Sequence, residues 1–305
     1  MIFGDLTPQQ FLDEYWQKQV LFVKGALADY QAPITAEELA GLALEDEVES
    51  RLVKKQGPTW SLSHGPFEES VFLKLPEEDW TVLVQAVDLW VPELEALIER
   101  FSFLPRWRFD DVMISYATPG GSVGPHYDDY DVFLLQVSGE REWQLGAPVS
   151  GEVEHREDTD LRVMANFEAS HTHTARAGDL LYIPPRVPHW GVAQARGMTF
   201  SVGFRAPTLI EMLDDVITDL IAEGHDPRYV DPPIDASGAG LEIQPAFVAQ
   251  AQKLLLELAE DESRLGDWLA RYMTAPKYPN HLELTDECRQ ARWRGTAYQN
   301  GERKG

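Results

Sequence analysis

Three patterns of apolar and polar positions follow one another along the chain. In the first hundred residues, apolar positions fall at helix spacing behind capping residues. Thr7-Pro8 reads as an N-cap and first helical residue, with Phe11, Leu12, Tyr15 and Trp16 on one face. The stretch "TAEE" at 35–38 reads as a capping box that opens a short helix through Leu44. "DWTVLVQAVDLW" (79–90) is apolar and β-rich at its centre, and Pro92 starts a helix carrying Leu94, Leu97 and Ile98.

From Asp111 to Arg205 the pattern becomes short β-type runs cut by turn residues: "VMISYAT", "PGGSVGP", "DVFLLQV", "SGE", "REWQL", "AGD", "LLYIPP" and "MTFSVGFR". Short strands with regular Gly/Pro punctuation predict an antiparallel barrel or jelly roll. "VSGER" reads as a hairpin joining 131–137 to 141–145, with Gly139 in the turn. After Pro207 the period returns to helical. Leu209, Ile210, Leu213, Val216, Ile217, Leu220 and Ile221 form one stripe, stopped by Gly224. A loop at 225–240 precedes a second helix with Phe247, Val248, Ala251, Leu254, Leu255 and Leu258, and a third with Leu265, Trp268, Leu269, Tyr272 and Met273. A boundary falls near 206. The reading is an α+β chain: a β-rich domain with N-terminal helices over 1–206, a helical region over 207–275, and a short terminal segment over 276–305.

Composition changes this picture in two ways. With 44% hydrophobic and 10% aromatic residues the chain can fill a core, so disorder is excluded as a class. No apolar run reaches the ~18 residues of a membrane span, the start shows no basic segment followed by an apolar one, and one cysteine, Cys288, fits a reducing compartment. A cytoplasmic protein with no membrane role is expected. The charge is lopsided: 51 acidic against 26 basic residues, net −25. Such a field repels nucleic acid and draws cationic partners. Solubility or a salty habitat would also account for it.

The candidate chemistry sits in "GPHYDDYDVFLLQVSGEREWQL" (124–145). In a strand, residues i and i+2 share a face, so His126 and Asp128 present an imidazole and a carboxylate to one point, with Asp129 and Asp131 turned away. "GDLLYIPPRVPHWG" (178–191) offers His189 at the end of a strand, behind three prolines. Two histidines and a carboxylate are the facial set typical of non-haem Fe(II), with open positions left over. His171-x-His173 has the same spacing but lacks a carboxylate and lies in polar, loop-like surroundings. His64, His155, His225 and His281 have no spaced partner and read as surface or structural. Arg141, after the turn, carries a planar guanidinium suited to a bidentate grip on a carboxylate. An exposed arginine paired with Glu140 or Glu142 is the plainer alternative.

These segments carry a resemblance. His126-Tyr127-Asp128, "SGEREW" (138–143) and "GDLLYIPPRVPHWG" resemble the JmjC-type 2-oxoglutarate oxygenases of the cupin superfamily. "PRWRFDDVMISYATPGGSVGPHYDDYDVFLLQ" (105–136) and "FSVGFRAPT" (200–208) are similar to the bacterial ribosomal oxygenases, which hydroxylate an arginine of a large-subunit ribosomal protein. The likeness is strong over about 60–210 and looser beyond. It implies a double-stranded β-helix (jelly-roll, cupin) core, Fe(II) on His126, Asp128 and His189, and 2-oxoglutarate and O2 as co-substrates. It also implies Arg141 on the distal carboxylate of 2-oxoglutarate, Ser115 as a hydroxyl near the co-substrate, and Ser201 in the same pocket. The implied partner is a basic large-subunit ribosomal protein, with no direct nucleic-acid contact. Tyr116, Tyr127 and Tyr130 are candidates to pack on its arginine. Family members carry a dimerisation helix region, so a homodimer through the helices at 208–273 is expected, and then a winged-helix-like domain, for which 276–305 leaves room only in reduced or incomplete form. Three other readings remain open: the same chemistry on asparagine or histidine, or a demethylation; a cupin that binds metal without turnover; and an interaction protein acting through its acidic surface.

Overall fold

Period-two alternation in the middle of the chain sends one set of side chains toward a layer of helices and the other toward a cavity. In this computed structural model, residues 2–234, 242–285 and 287–304 are described. Eleven strands precede residue 206: β1 (Leu21–Val23), β2 (Ser50–Gln56), β3 (Thr59–His64), β4 (Trp80–Val84), β5 (Phe109–Ala117), β6 (Asp131–Gln136), β7 (Glu140–Leu145), β8 (His171–Arg176), β9 (Leu180–Ile183), β10 (His189–Ala193) and β11 (Gly197–Phe204). They form an eight-stranded sheet in the order β1-β9-β6-β11-β5-β4-β2-β3 and a three-stranded sheet in the order β10-β7-β8. Neighbours are antiparallel throughout. This is the double-stranded β-helix of the cupins, in an α+β chain.

On the larger sheet, Val82, Val84, Val112, Ile114, Phe133, Leu135, Phe200 and Val202 are buried in the main hydrophobic core. Their neighbours in sequence, Thr81, Leu83, Met113, Ser115, Leu134 and Ser201, line the cavity on the other face. The core face is capped by α1 (Pro8–Glu14) and α2 (Ala36–Leu42), each opened by a complete capping box, Thr7 with Gln10 and Thr35 with Glu38. Phe11 of α1 is fully buried and meets Phe3, Phe133 and Tyr182 at ring separations of 4.2, 5.7 and 5.0 Å. Large apolar surface removed from water on this side fixes the sheet against its helices.

Four expectations are corrected. The segments 131–137 and 141–145 do not pair as a hairpin. Strand β6 bonds to β9 and β11, and β7 to β8 and β10, so the turn crosses between sheets. Gly139 is still required there: its φ is +71°, and a Cβ would collide with the backbone of Arg196 and Gly197. Strands also extend beyond 111–205: β4 falls in the stretch 79–90 read as β-rich, but β1 to β3 were not expected, and the four complete the larger sheet. The helix from Pro92 is broken into a 3-10 turn (Pro92–Leu94), one α turn, and a second 3-10 turn (Glu99–Phe101). Finally, His171 and His173 lie on β8, not in a loop.

By contact density the chain divides into Met1–Ala206 with Asn280–Asp286, and Pro207–Pro279 with Glu287–Gly305. The second unit contains three longer helices (Leu209–Ala222, Pro245–Glu260 and Glu262–Thr274) and a three-stranded antiparallel meander (Gln290–Trp293, Thr296–Gln299, Glu302–Lys304). Arg271 grips Asp219 through both terminal nitrogens, and Trp268 Nε1 donates to Asp215 at 2.7 Å. Residues 235–241, in the expected 225–240 loop, lie outside the described residues. Among the described residues no helix is long and apolar enough to cross a membrane.

Candidate functional site

The two sheets enclose a cavity of about 340 Å³. His126, Asp128 and His189 bring one ligand atom each within 4.8 Å of one another on its wall. His126 and Asp128 do not sit in a regular strand. They belong to the irregular segment that leads into β6, and His126 forms an isolated bridge with His189, the first residue of β10. The two histidines exchange both backbone hydrogen bonds, at 3.0 and 2.7 Å, which sets their rings 4.3 Å apart.

Their tautomers follow from their partners. Nδ1 of His126 lies 3.0 Å from the carbonyl of Gly124, and Nδ1 of His189 lies 3.0 Å from that of Val187. A carbonyl only accepts, so each Nδ1 carries the proton and each Nε2 presents a lone pair, the arrangement a metal ligand needs. Burial pushes the His189 imidazole down to about 4. His126 reinforces the shift and Asp128 opposes it. His189 is therefore neutral near pH 7, and its 3.6 Å approach to Asp128 is not an ion pair. Asp129 and Asp131 are turned elsewhere. Asp129 pairs with Arg186, and Asp131 is buried, accepting from Tyr182 Oη at 2.7 Å and Gln17 at 2.9 Å.

Alternation along β7 buries Arg141, Trp143 and Leu145. Their partners on β10 are Ala193, Gly191 and His189. A Cβ at position 191 would strike the Trp143 ring, so the glycine makes room for the indole. Arg141 lies 5.5 Å from that ring, which lies 5.9 Å from His189. The guanidinium is buried, its Nε has no hydrogen-bond partner, and among the described residues no carboxylate pairs with it. Burial lowers it to about 10, so it remains a cation at neutral pH. A buried cation left without a partner is costly unless an anion enters. The site thus combines a 2-His-1-carboxylate set with a buried guanidinium across one cavity. The donor set fits Fe(II), and the orphaned guanidinium fits the far end of a dicarboxylate.

Ser115 and Ser201, on β5 and β11, both line the cavity. So do Tyr127 and Tyr130, whereas Tyr116 packs against the core side, 5.7 Å from Trp80. His171 is exposed and His173 stacks on Phe22, so neither joins the metal set. The sequence reading missed Arg51 on β2, and its cross-strand partner His64 on β3, read as surface or structural, also lines the cavity. The Gly57-Pro58 turn between two alternating runs is the signal for that hairpin.

Fold and site together define the class: a cupin-fold oxygenase of the JmjC type. The JmjC domain model matches residues 96–212. The chain is 38% identical to the ribosomal protein uL16 3-hydroxylase of Escherichia coli over 271 residues, covering 88% of this chain and 71% of that protein. It is 40% identical to a probable ribosomal oxygenase of Haemophilus influenzae over 213 residues, covering 69% of this chain but only about half, 52%, of that one. The solved structure of E. coli YcfD superposes with a TM-score of 0.88 at 34% identity, over 98% of this chain and 86% of the other. A structure of YcfD, a ribosomal oxygenase, in complex with cobalt and 2-oxoglutarate superposes at 0.86 and 33% identity, over the same shares. The chain belongs to the ribosomal oxygenase family of JmjC proteins.

Proposed function

We propose that this chain is an Fe(II)- and 2-oxoglutarate-dependent protein hydroxylase, a dioxygenase that hydroxylates the β-carbon (C3) of an arginine in a basic large-subunit ribosomal protein. The observation that carries the reading is the buried Arg141, its Nε without a hydrogen-bond partner, in the same cavity as the His126, Asp128 and His189 donors. The name of the E. coli relative supports the substrate class, and the cobalt and 2-oxoglutarate complex of YcfD supports the cofactors.

In this reading His126, Asp128 and His189 would hold Fe(II). Bound iron supplies the centre at which 2-oxoglutarate and O2 react. Arg141 fixes the distal carboxylate of 2-oxoglutarate and so orients its keto-acid end. Ser115 offers a hydroxyl to the same co-substrate, and Ser201 extends that wall. Val132, Leu134 and Met113 keep the surroundings apolar and limit water. The balance is 2-oxoglutarate + O2 + C–H → succinate + CO2 + C–OH, with one oxygen atom in succinate and the other in the product. The protein's share is positioning and shielding.

The net charge of −25 favours a cationic substrate and disfavours RNA, so the free ribosomal protein, met in the cytoplasm, is the substrate in this reading. A homodimer is part of it too. Leu209, Ile210, Leu213, Ile217 and Ile221 stand exposed along one helix, and a second copy would bury them.

Mass spectrometry tests the activity. A single-oxygen gain is expected on one arginine peptide, absent without 2-oxoglutarate. Gain on asparagine or histidine, or succinate release without any modified peptide, would replace the substrate assignment. Substrate affinity should fall as ionic strength passes ~0.1–0.2 M, where the Debye length drops to about 8 Å. Light scattering at micromolar protein should give twice the chain mass; a monomer would remove the dimer from the reading.

A further inference from the structure

Residues 184–188 read Pro-Pro-Arg-Val-Pro, immediately before His189. Arg186 has φ +63°, a left-handed conformation that a side chain with a Cβ adopts only under compensation. Its contacts supply that compensation. The backbone N–H donates to the carbonyl of Asp128 at 2.7 Å. The guanidinium lies 4.9 Å from the centre of the Tyr127 ring, and Nη1 pairs with Asp129 Oδ1 at 3.0 Å. Nε and Nη2 donate to the carbonyls of Val149 at 3.1 Å and Gly151 at 2.7 Å, and Val149 N–H returns a bond to the Arg186 carbonyl at 2.9 Å. One residue therefore touches Tyr127, Asp128 and Asp129 in succession and ties them to the segment beyond β7.

The three candidate ligands are unequally supported. His126 and His189 are fixed twice each, by the backbone exchange and by their Nδ1 bonds. Asp128 lies outside any strand, and among the described residues no hydrogen bond holds its carboxylate. Its backbone anchor is Arg186. The planar fork suits the task, since it reaches two carbonyls, a carboxylate and a ring face together, which a lysine cannot. We propose that Arg186 is a positioning residue that fixes the Asp128 segment and thereby sets the affinity of the metal site. This rests on reading His126, Asp128 and His189 as the metal ligands.

Cobalt(II) titration of the metal-free 305-residue chain, followed by the visible bands of the bound ion, tests it. Arg186→Gly keeps the N–H donor to Asp128 and relaxes the left-handed backbone, so only the guanidinium is lost. Cobalt should bind roughly tenfold more weakly to Arg186→Gly, with shifted bands, as for the loss of outer support around a ligand. Arg186→Lys should fall between the two. The metal-free melting temperature of Arg186→Gly should stay close to wild type, which separates positioning from general stability. Wild-type affinity and an unchanged spectrum in Arg186→Gly overturn the proposal. Should that variant fail to fold, Asp129→Asn decides. It removes the ion pair and leaves the other contacts, with roughly two- to fivefold weaker cobalt binding expected and an unchanged affinity and spectrum counting against Arg186. A wild-type chain that binds no cobalt, or binds it as well after Asp128→Ala, overturns the metal reading instead.

Discussion

Two pairs of residues with the same spacing meet opposite fates in this chain. His126 and Asp128 stand two apart and converge with His189 on the cavity. His171 and His173 also stand two apart, on β8, in register with Leu145 and Trp143 of β7, whose side chains turn inward. Both pairs could in principle present two donors between the sheets. What separates them is the filling of that space. Opposite β8, Phe22 of the edge strand β1 stacks on His173 at 4.7 Å and 24°, and His171 is left at the surface with Ser170. Opposite His126 the space stays open, a neighbouring histidine is locked beside it by paired backbone bonds, and a carboxylate follows. On β8 spacing selects a face that the opposite sheet has filled; at His126 and Asp128, outside any regular strand, the bridge to His189 and the open cavity make the site.

Substitution is the strongest way to test this contrast. His126→Ala, Asp128→Ala and His189→Ala should each bring turnover to background with the fold intact by circular dichroism. Because three ligands make one centre, the double variants should be no worse than the singles. His171→Ala and His173→Ala should leave turnover close to wild type. Full activity in any of the first three removes that residue from the set, and loss in either of the last two would break the comparison. A smaller effect is expected at Arg141. Its replacement by alanine removes a charge-assisted bidentate contact, about 2–3 kcal/mol, and should raise the 2-oxoglutarate requirement roughly 30–150-fold while cobalt affinity stays near wild type. Parallel weakening of both would make Arg141 a support of the fold.

Much of this contrast is legible in the amino-acid sequence. The spacing of His126 and Asp128, the distal His189 behind its prolines and a basic residue after the turn at Gly139 are local signals, and the fold gathers those residues at one cavity. The sheet assignment is not legible in the same way. Strands β6 and β7 lie close together in the chain and each reads as a hairpin arm. Yet Asp131 of β6 pairs with Phe204 and Arg141 of β7 with Ala193, distant partners that no local period encodes. β2 is hidden because its outer end, Lys54-Lys55-Gln56, is polar, as suits a strand near a sheet edge. The contacts of Arg186 are hidden for a similar reason: they join residues some 35 to 57 positions apart in the chain.

The smallest expected effect concerns His173 itself, and it sharpens the comparison by assigning that residue a packing role. Burial and the nearby His171 and Lys24 hold its imidazole below the usual histidine range. The neutral ring that stacks on Phe22 is thus favoured by the folded state. The sign follows from linkage. Near pH 8 the ring is neutral in both folded and unfolded chains, and its contribution is complete. As pH falls through the unfolded value near ~6.5, the unfolded chain takes up a proton that the folded chain resists, and the contribution is progressively lost. Deleting the ring with His173→Ala should therefore cost about 0.5–1 kcal/mol at pH 8, a shift of a few degrees in melting temperature, and distinctly less at pH 5. His173→Phe should keep the stack and flatten the acid dependence. A penalty for His173→Ala that grows toward acid would mean that the charged imidazole is the form the fold prefers, and the packing account of this pair would fail.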